Sequence, residues 1–562
     1  MTWTQVYDPF NNWLLSTLVA ALPVLVLLGL LAGLRVQAHL CAIAGAGTAI
    51  LVAILAFGMP WELATSSFLL GMAFGFLKIV WIVIAAVFLY DLSVDTGQFE
   101  IVKHSVAGIS ADRRIQLLLV AFCFGALIEG AAGFGTPVAI AGAFMIGLGF
   151  RPFQAAALNL IANTAPVAWG AIGTPVHTLA AVTALNESDL NAMIGRILPF
   201  TAIIVPFWLV KAMVSWQETF EVLPAILVVG ASFSATQWFW ANHMDSNLVD
   251  ITSGAVSMVV TLIFLLFWKP KRIWRFPDEP DTPPHTYTHW EVARSWLPFA
   301  ILTVFVVVWG LPRVKNAMNL ATTPAFKVIT AEGKPRPGPP GWDWPGLHNS
   351  VSRAVPVVKK PTPEAARFDF NWLTATGSGC FLAAIVSGLL LGVGPGRMMK
   401  VFQHTLYRLR FAIIAMTCML GLGFITRYSG MDAVLGLAFT RTGSLFPFFG
   451  TYIGWLGVAL TGSDTSSNAL FGGLQRITAE QLNLSPILMC AANSAGGVMG
   501  KMIDAQSIVI ATAATNQVGN EGGIFRYVFW HSVALAAIVG LIVYSYAHYF
   551  PQYIPAGLNF IK

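Results

Sequence analysis

Two polar, glycine-rich strings interrupt otherwise apolar sequence, one at residues 129–136 and the other at 461–468. The first, Glu129-Gly130-Ala131-Ala132-Gly133-Phe134-Gly135-Thr136, is followed by Pro137, which suits the first turn of a returning helix because its missing N–H has no partner there anyway. Gly133, Gly135 and Thr136 would then offer free backbone N–H groups at a helix start. The partial positive charge of the peptide dipoles there favours a small anion. The second string holds hydroxyl and amide side chains, among them Ser463, Thr465, Ser466, Ser467 and Asn468, together with one carboxylate, Asp464. It cannot face hydrocarbon and must meet protein, water or ligand. Two more polar breaks add Asn163 and Thr164, with Gly170, Gly173 and Pro175, and Asn493, Ser494, Lys501 and Gln506, with Gly496, Gly497 and Gly500. The chemistry this set supports is reversible binding of a small carboxylate.

Glu129 and Asp464 oppose that chemistry when ionised, since a carboxylate about 5 Å from an anion costs roughly 3 kcal/mol at an effective dielectric near 20. Protonation removes the cost, so proton and anion would each favour binding of the other and be carried together. A structural or capping role is the other reading of each carboxylate. Lys501 could pair with a substrate carboxylate, or with Asp504 three residues on. Lys78, inside an apolar segment, is either functional or paired with a scaffold carboxylate. His177 and His531 could relay protons or serve as structural hydrogen-bonders.

The elements that position these residues must be membrane spans. The 562-residue chain is 56% hydrophobic and only 10% charged, against about a quarter charged in soluble domains. Its net charge of +6 is scattered through short loops and gives no nucleic-acid surface. Cys41, Cys123, Cys380, Cys418 and Cys490 lie in apolar segments without CxxC spacing, so packing is their expected role. Hydropathy predicts about 12 crossings, at 13–34, 38–58, 65–90, 153–183, 190–215, 221–242, 247–268, 294–312, 370–394, 409–428, 485–516 and 526–550. The stretches 114–150 and 445–480, broken by the two strings, predict re-entrant hairpins with short arms of about 14 to 18 residues. The absence of a basic n-region and cleavage site predicts that the first apolar stretch is retained as a span.

Basic residues cluster at Arg35, Lys103 to Arg114, Lys269 to Arg275 and Arg397 to Arg410, predicting those loops inside and both termini outside. The proline-rich stretch 313–369 is then an external loop, and 277–293 a cytoplasmic linker. Thr96-Gly97, Gly130 and Asn163-Thr164 recur as Ser429-Gly430, Gly462 and Asn493-Ser494, about 330 residues later. The predicted fold class is thus an all-α polytopic membrane protein built as an inverted-topology repeat with broken helices. Residues 1–215 form the first unit, 216–276 two linking spans, and 294–562 the second unit.

At these residues the chain resembles the lactate permease family, which includes bacterial L-lactate and glycolate permeases. The resemblance is carried by G-A-L-I-E-G-A-A-G-F-G-T-P-V-A at 125–139, L-T-G-S-D-T-S-S-N-A-L-F at 460–471, N-T-A-P-V-A at 163–168 and G-K-M-I at 500–503. It departs from the family pattern at Asp504-Ala505, where S-P is usual before Q-S-I, and at Lys78. The resemblance implies import of L-lactate, and of D-lactate and glycolate, across a bacterial inner membrane by proton symport, without a cofactor. Sodium coupling remains the alternative, because unwound carbonyls and hydroxyls can also coordinate Na⁺. A membrane-embedded enzyme is the reading from another class, and the chain carries no H-E-x-x-H or haem motif to support it.

Overall fold

Sequence destined for hydrocarbon must satisfy its backbone hydrogen bonds within each segment, and a helix does so without partners. The computed structural model, described for residues 2–30, 36–107, 110–133, 136–276, 287–322, 341–358, 360–517 and 520–555, is accordingly built almost wholly of helices. Among the described residues seven are long and apolar enough to cross a membrane: Trp61–Asp95, Arg113–Ala131, Glu187–Met213, Leu223–His243, Val249–Phe267, Pro395–Ser429 and Glu521–His548. The pair Pro152–Ala162 and Val167–Thr183, bent by 63°, makes an eighth. The expected 12 crossings are therefore not reached by length and composition. Part of the difference lies in apolar helices that are short, namely Trp13–Leu27, His39–Leu55 and Thr376–Leu390, whereas Arg113–Ala131 and the short Pro137–Gly147 both belong to the predicted hairpin 114–150. Fifteen helical residues, as in Thr376–Leu390, extend only about 22 Å at 1.5 Å each, against roughly 30 Å of hydrocarbon.

Two predicted boundaries also move. The span at 65–90 becomes Trp61–Asp95, with Lys78 on a π-helical turn, Gly75–Val80. The span at 409–428 extends back to Pro395, because Gly394 and a proline in the first turn make a favourable helix start. Arg397, Lys400, Arg408 and Arg410 consequently ride on this helix instead of in a loop.

Each predicted hairpin consists of two helices joined at a glycine in the left-handed region, which a side chain would disfavour. The first runs through residues 113–132, turns at Gly133 (φ +59°) and returns as Thr136–Gly147. Its leading arm is longer than expected and wholly buried, since a π-helical stretch, Leu117–Phe124, joins the α-helical pieces without interruption. The second descends as Phe446–Thr461, turns at Gly462 (φ +74°) and returns as Asp464–Gln481.

The outer ends of the first hairpin share one end of the molecule: Arg113 N donates to Trp274 O at 3.0 Å, and Phe150 packs on Phe276 at 5.4 Å between centroids. Those of the second share another, where Arg441 lies 3.5 Å over the Trp13 ring and Gln481 Nε2 donates to Pro356 O at 3.1 Å. Helix Val249–Phe267 separates the two ends. Ser246, just before it, donates to Glu187, close in sequence to Thr183, whose carbonyl accepts from Arg476 of the second hairpin. Trp274 and Phe276, after it, hold the base of the first hairpin.

The predicted external loop 313–369 is more ordered than its composition suggests, and it corrects the all-helical expectation. It opens with helix Pro312–Thr322; its proline-richest part, 323–340, and most of the predicted linker, 277–286, lie outside the described residues. Strand Val351–Arg353 pairs parallel with Trp3–Thr4 and antiparallel with Thr362–Pro363, while Gly341–Asp343 pairs with Arg367–Asp369. Trp342 and Trp344 pack tilted and edge-on against Phe368, and Leu347 and Val351 are fully buried. Apolar burial thus compensates for the low strand propensity of proline and glycine. The N-terminus and this loop form one cap on one face of the protein.

Candidate functional site

Backbone irregularity concentrates where the hairpin turns meet the broken helices. The first broken helix bends at 163–166, and its continuation carries Ala171, Ile172 and Gly173 at φ +45°, +58° and +71°. Left-handed conformation costs a non-glycine residue about 1–2 kcal/mol, so this strain persists only because the surroundings enforce it. Those surroundings are close. A Cβ at Gly133 would lie 2.9 Å from Ala171 Cβ, and one at Gly173 would lie 2.5 Å from Ser246 O. The second broken helix ends Pro486–Gly500, passes through a 3₁₀ turn, Lys501–Ile503, and restarts as Ala505–Ala514. Asp504 caps that restart, accepting from Ser507 N at 2.7 Å.

Between these parts lies a cavity of about 30 Å³, lined by Glu129, Gly133, Gly170, Thr174, Ser463, Asp464, Thr465 and Lys501 among others. At roughly 10–15 Å³ per water, that is room for two or three waters. Residues from both hairpins and both broken helices converge on it. Lys501 Nζ donates to Gly462 O at 2.5 Å and lies 3.4 Å from Asp504 Oδ2, so the predicted internal pair exists while the same ammonium also lines the cavity. Thr465 and Thr174 hydroxyls meet across the cavity at 3.4 Å. Ser463 is the N-cap of Asp464–Gln481, its hydroxyl accepting from Ser466 N at 3.3 Å.

The two carboxylates are held differently. Asp464 Oδ2 accepts from Ser494 Oγ at 2.5 Å and Asn468 Nδ2 at 3.3 Å, while its Oδ1 has no partner and a Cβ at Gly497 would run into it. Glu129 is 3% exposed, its Oε2 has no partner, and its Oε1 would lie 2.5 Å from a Cβ at Gly170. Asn163 comes beside the Glu129 carboxyl, and neither of its amide atoms has another partner. Gly170 and Gly497 thus make the space into which the carboxyls fit.

Other predicted residues brace this arrangement from behind. Asn493 Nδ2 donates to Asn468 Oδ1 at 2.9 Å, Asn468 Nδ2 to Pro175 O at 3.2 Å, and Ser467 Oγ to Gly454 O at 3.1 Å. Gln475 closes the network on Asn493 Oδ1 at 3.2 Å. Thr164 donates to Ile161 O at 2.7 Å within its own turn. Ser466 is buried beside its cap. Gly135 lies outside the described residues, as do the side chains of Thr136 and Gln506.

Of the remaining ionisable groups, Lys78 donates to the Asn371 side chain and faces Asp369, which joins it to the cap. His531 Nδ1 accepts from Trp208 Nε1 at 2.8 Å, a structural bond. His177 pairs with Glu187 at 3.0 Å and meets Asn247 at 2.9 Å. Beside the site lies a buried acid that its sequence context does not announce. Asp250, in the first turn of Val249–Phe267, is 1% exposed and sits against Gly130. In sequence it reads as an ordinary helix-start acid, since nothing in its spacing marks it. The five cysteines are free and buried, as packing residues are.

A profile of the L-lactate permease family matches residues 16–550. The chain is 45% identical to glycolate permease GlcA of Escherichia coli K12, over 98% of this chain and 99% of that protein. It is 42% identical to an L-lactate permease of Salmonella typhimurium LT2 (98% and 100% covered) and 39% identical to one of Bacillus subtilis 168 (99% and 100%). Among solved structures, the MtrF efflux pump of Neisseria gonorrhoeae aligns with a TM-score of 0.44 at 13% identity, over 91% of this chain and 86% of that one.

Proposed function

Because the chain belongs to the L-lactate permease family, whose named members are membrane transport proteins and not enzymes, we propose that it imports L-lactate, with D-lactate and glycolate as related substrates, by proton symport. The observation that carries this reading is the convergence of two buried carboxyls, Glu129 and Asp464, with the Lys501 ammonium on one small cavity. Lys501 supplies the charge a monocarboxylate needs, and the hydroxyls of Ser463, Thr465 and Thr174 are suited to a 2-hydroxyl group. Asp464 stands at the start of its helix, where its charge offsets the positive end of the dipole. Protonating it restores that positive end for the incoming anion, which is how proton and substrate come to favour each other.

The cavity's small volume supports a cycle in which the hairpin turns separate to admit substrate and close around it. The opposed ends of the two hairpins support the inverted repeat, with 1–215 and 294–562 as the two units and the cap on the outer face of a bacterial inner membrane. In that arrangement each hairpin is re-entrant, its turn buried at mid-depth, and both termini lie outside.

Glu129→Gln and Asp464→Asn test the reading in proteoliposomes. Each variant is expected to go on exchanging labelled lactate across the membrane while uphill accumulation driven by a pH gradient falls more than tenfold. Normal, pH-dependent accumulation by both variants would overturn the proton assignment.

A further inference from the structure

Asp250 lies in the described structure with both carboxylate oxygens buried and neither hydrogen-bonded. Its position is set by close packing. The hairpin helix Gly125–Ala132 lies flush on Val249–Phe267, so that a Cβ at Gly130 would lie 2.9 Å from Asp250 Cβ and one at Gly254 would lie 2.9 Å from Leu127 N. The glycines leave no slack for a large shift of either helix. The charged group facing Asp250 is Glu129, the residue next to Gly130. Glu129 in turn faces Lys501, Asp504 and Asn163 across the site. On the approach to the helix stand Asp245, which accepts from Asn247 N at 3.1 Å, and His177, which Asn247 joins to the Glu187 pair.

A carboxylate without hydrogen bonds or a cation is poorly tolerated in a buried site, and a neighbouring carboxylate worsens its position. Two buried carboxyls that face each other cannot both carry a charge cheaply, so a proton on either member relieves both. Asp250 is not among the residues lining the cavity and packs against Gly130, just before the turn of the first hairpin. We propose that Asp250 is a second proton-binding residue of the transport cycle, forming with Glu129 a carboxyl pair that carries the coupled proton to and from the site without passing it through the substrate cavity. The two carboxyls are not hydrogen-bonded to each other in this structure, so the transfer follows a side-chain rotation that brings them into contact: the O–H bond of the Asp250 carboxyl breaks, its electron pair stays on the Asp250 oxygen, and a new O–H bond forms on Glu129. The pair carries one negative charge before and after.

This inference rests on the proton-symport reading, and the test separates the two. Lactate uptake and internal pH are recorded together in proteoliposomes holding wild-type protein, Asp250→Asn or Asp250→Glu, under a pH gradient or a Na⁺ gradient. The wild type is expected to take up protons with lactate. Asp250→Asn is expected to lose at least tenfold in gradient-driven accumulation and its proton co-uptake, while lactate exchange persists at a reduced rate. Asp250→Glu, which keeps a carboxyl in an altered place, is expected to retain co-uptake with a displaced pH profile. Should the wild type be driven by protons and Asp250→Asn keep the wild-type proton-to-lactate ratio and pH profile, the Asp250 proposal falls and symport stands. Should Asp250→Asn fail to fold, an unchanged profile in Asp250→Glu overturns the proposal. Wild-type uptake driven by Na⁺ alone overturns both.

Discussion

Lys501 faces three carboxylates: Asp504 at 3.4 Å, and Glu129 and Asp464 around the same cavity. Its Nζ also holds the Gly462 carbonyl, the acceptor that the helix end at the second turn would otherwise leave unpaired. A charge-assisted hydrogen bond to a carboxylate contributes about 1.5–3 kcal/mol, so replacing this ammonium with the unbranched, neutral side chain in Lys501→Met is expected to raise the KM for lactate at least tenfold. Initial-rate kinetics in proteoliposomes would show it, and an unchanged KM would place the substrate carboxylate elsewhere. Lys501, Glu129 and Asp464 were legible in sequence because a charge within an apolar run is conspicuous. Whether Lys501 met Asp504 or the cavity was not legible, since the i,i+3 spacing allows the first and only the converging backbone brings the second. The bracing role of Asn468 and Asn493 was equally hidden, because an amide reads the same whether it faces a ligand or another amide.

Among the elements, the glycine-rich turns and helix breaks fell where sequence placed them, since glycine in the left-handed region and a polar string within apolar sequence are local signals. The cap was not legible. Its strands are two or three residues long, and Trp3–Thr4 finds its partner in Val351–Arg353, far along the chain, so no local period announces them. What holds the cap is Glu364, which accepts from Arg427 Nη2 at 2.6 Å and also bonds Arg353. Burial raises the Glu364 pKa, but the two guanidiniums outweigh it and bring it from 4.5 down to about 2. A carboxyl depressed in the folded state adds stability that is fully present above its unfolded pKa and is lost as pH falls from about 4.5 toward 2. The shift corresponds to about 3 kcal/mol. Glu364→Gln, which leaves two buried guanidiniums without their ion-paired carboxylate and with only the charge of Asp432 nearby, is expected to destabilise the cap by roughly 3 kcal/mol. Thermal unfolding of the purified protein followed by tryptophan fluorescence would measure this, and the variant should lose the wild type's sensitivity below pH 4.5.

For the molecule as a whole, the two helix–turn–helix units bring one turn rich in backbone groups and Glu129 against another rich in hydroxyls and Asp464. Small residues let the parts approach. A Cβ at Gly454, Gly496 or Gly500 would strike the facing backbone of Asn493, Thr451 or Trp455, which locks Phe446–Thr461 onto Pro486–Gly500. The count of crossings was the least legible feature, because helices of 15 to 18 residues and a fully buried arm defeat a rule that assumes lipid on every side. In the proposed cycle lactate moves with protons through the cavity between the turns. Uptake of labelled L-lactate by wild-type proteoliposomes, under a pH gradient without Na⁺ and then under a Na⁺ gradient at equal pH, tests it most directly. Accumulation above equilibrium under the pH gradient alone is the predicted result; accumulation under the Na⁺ gradient alone would contradict it.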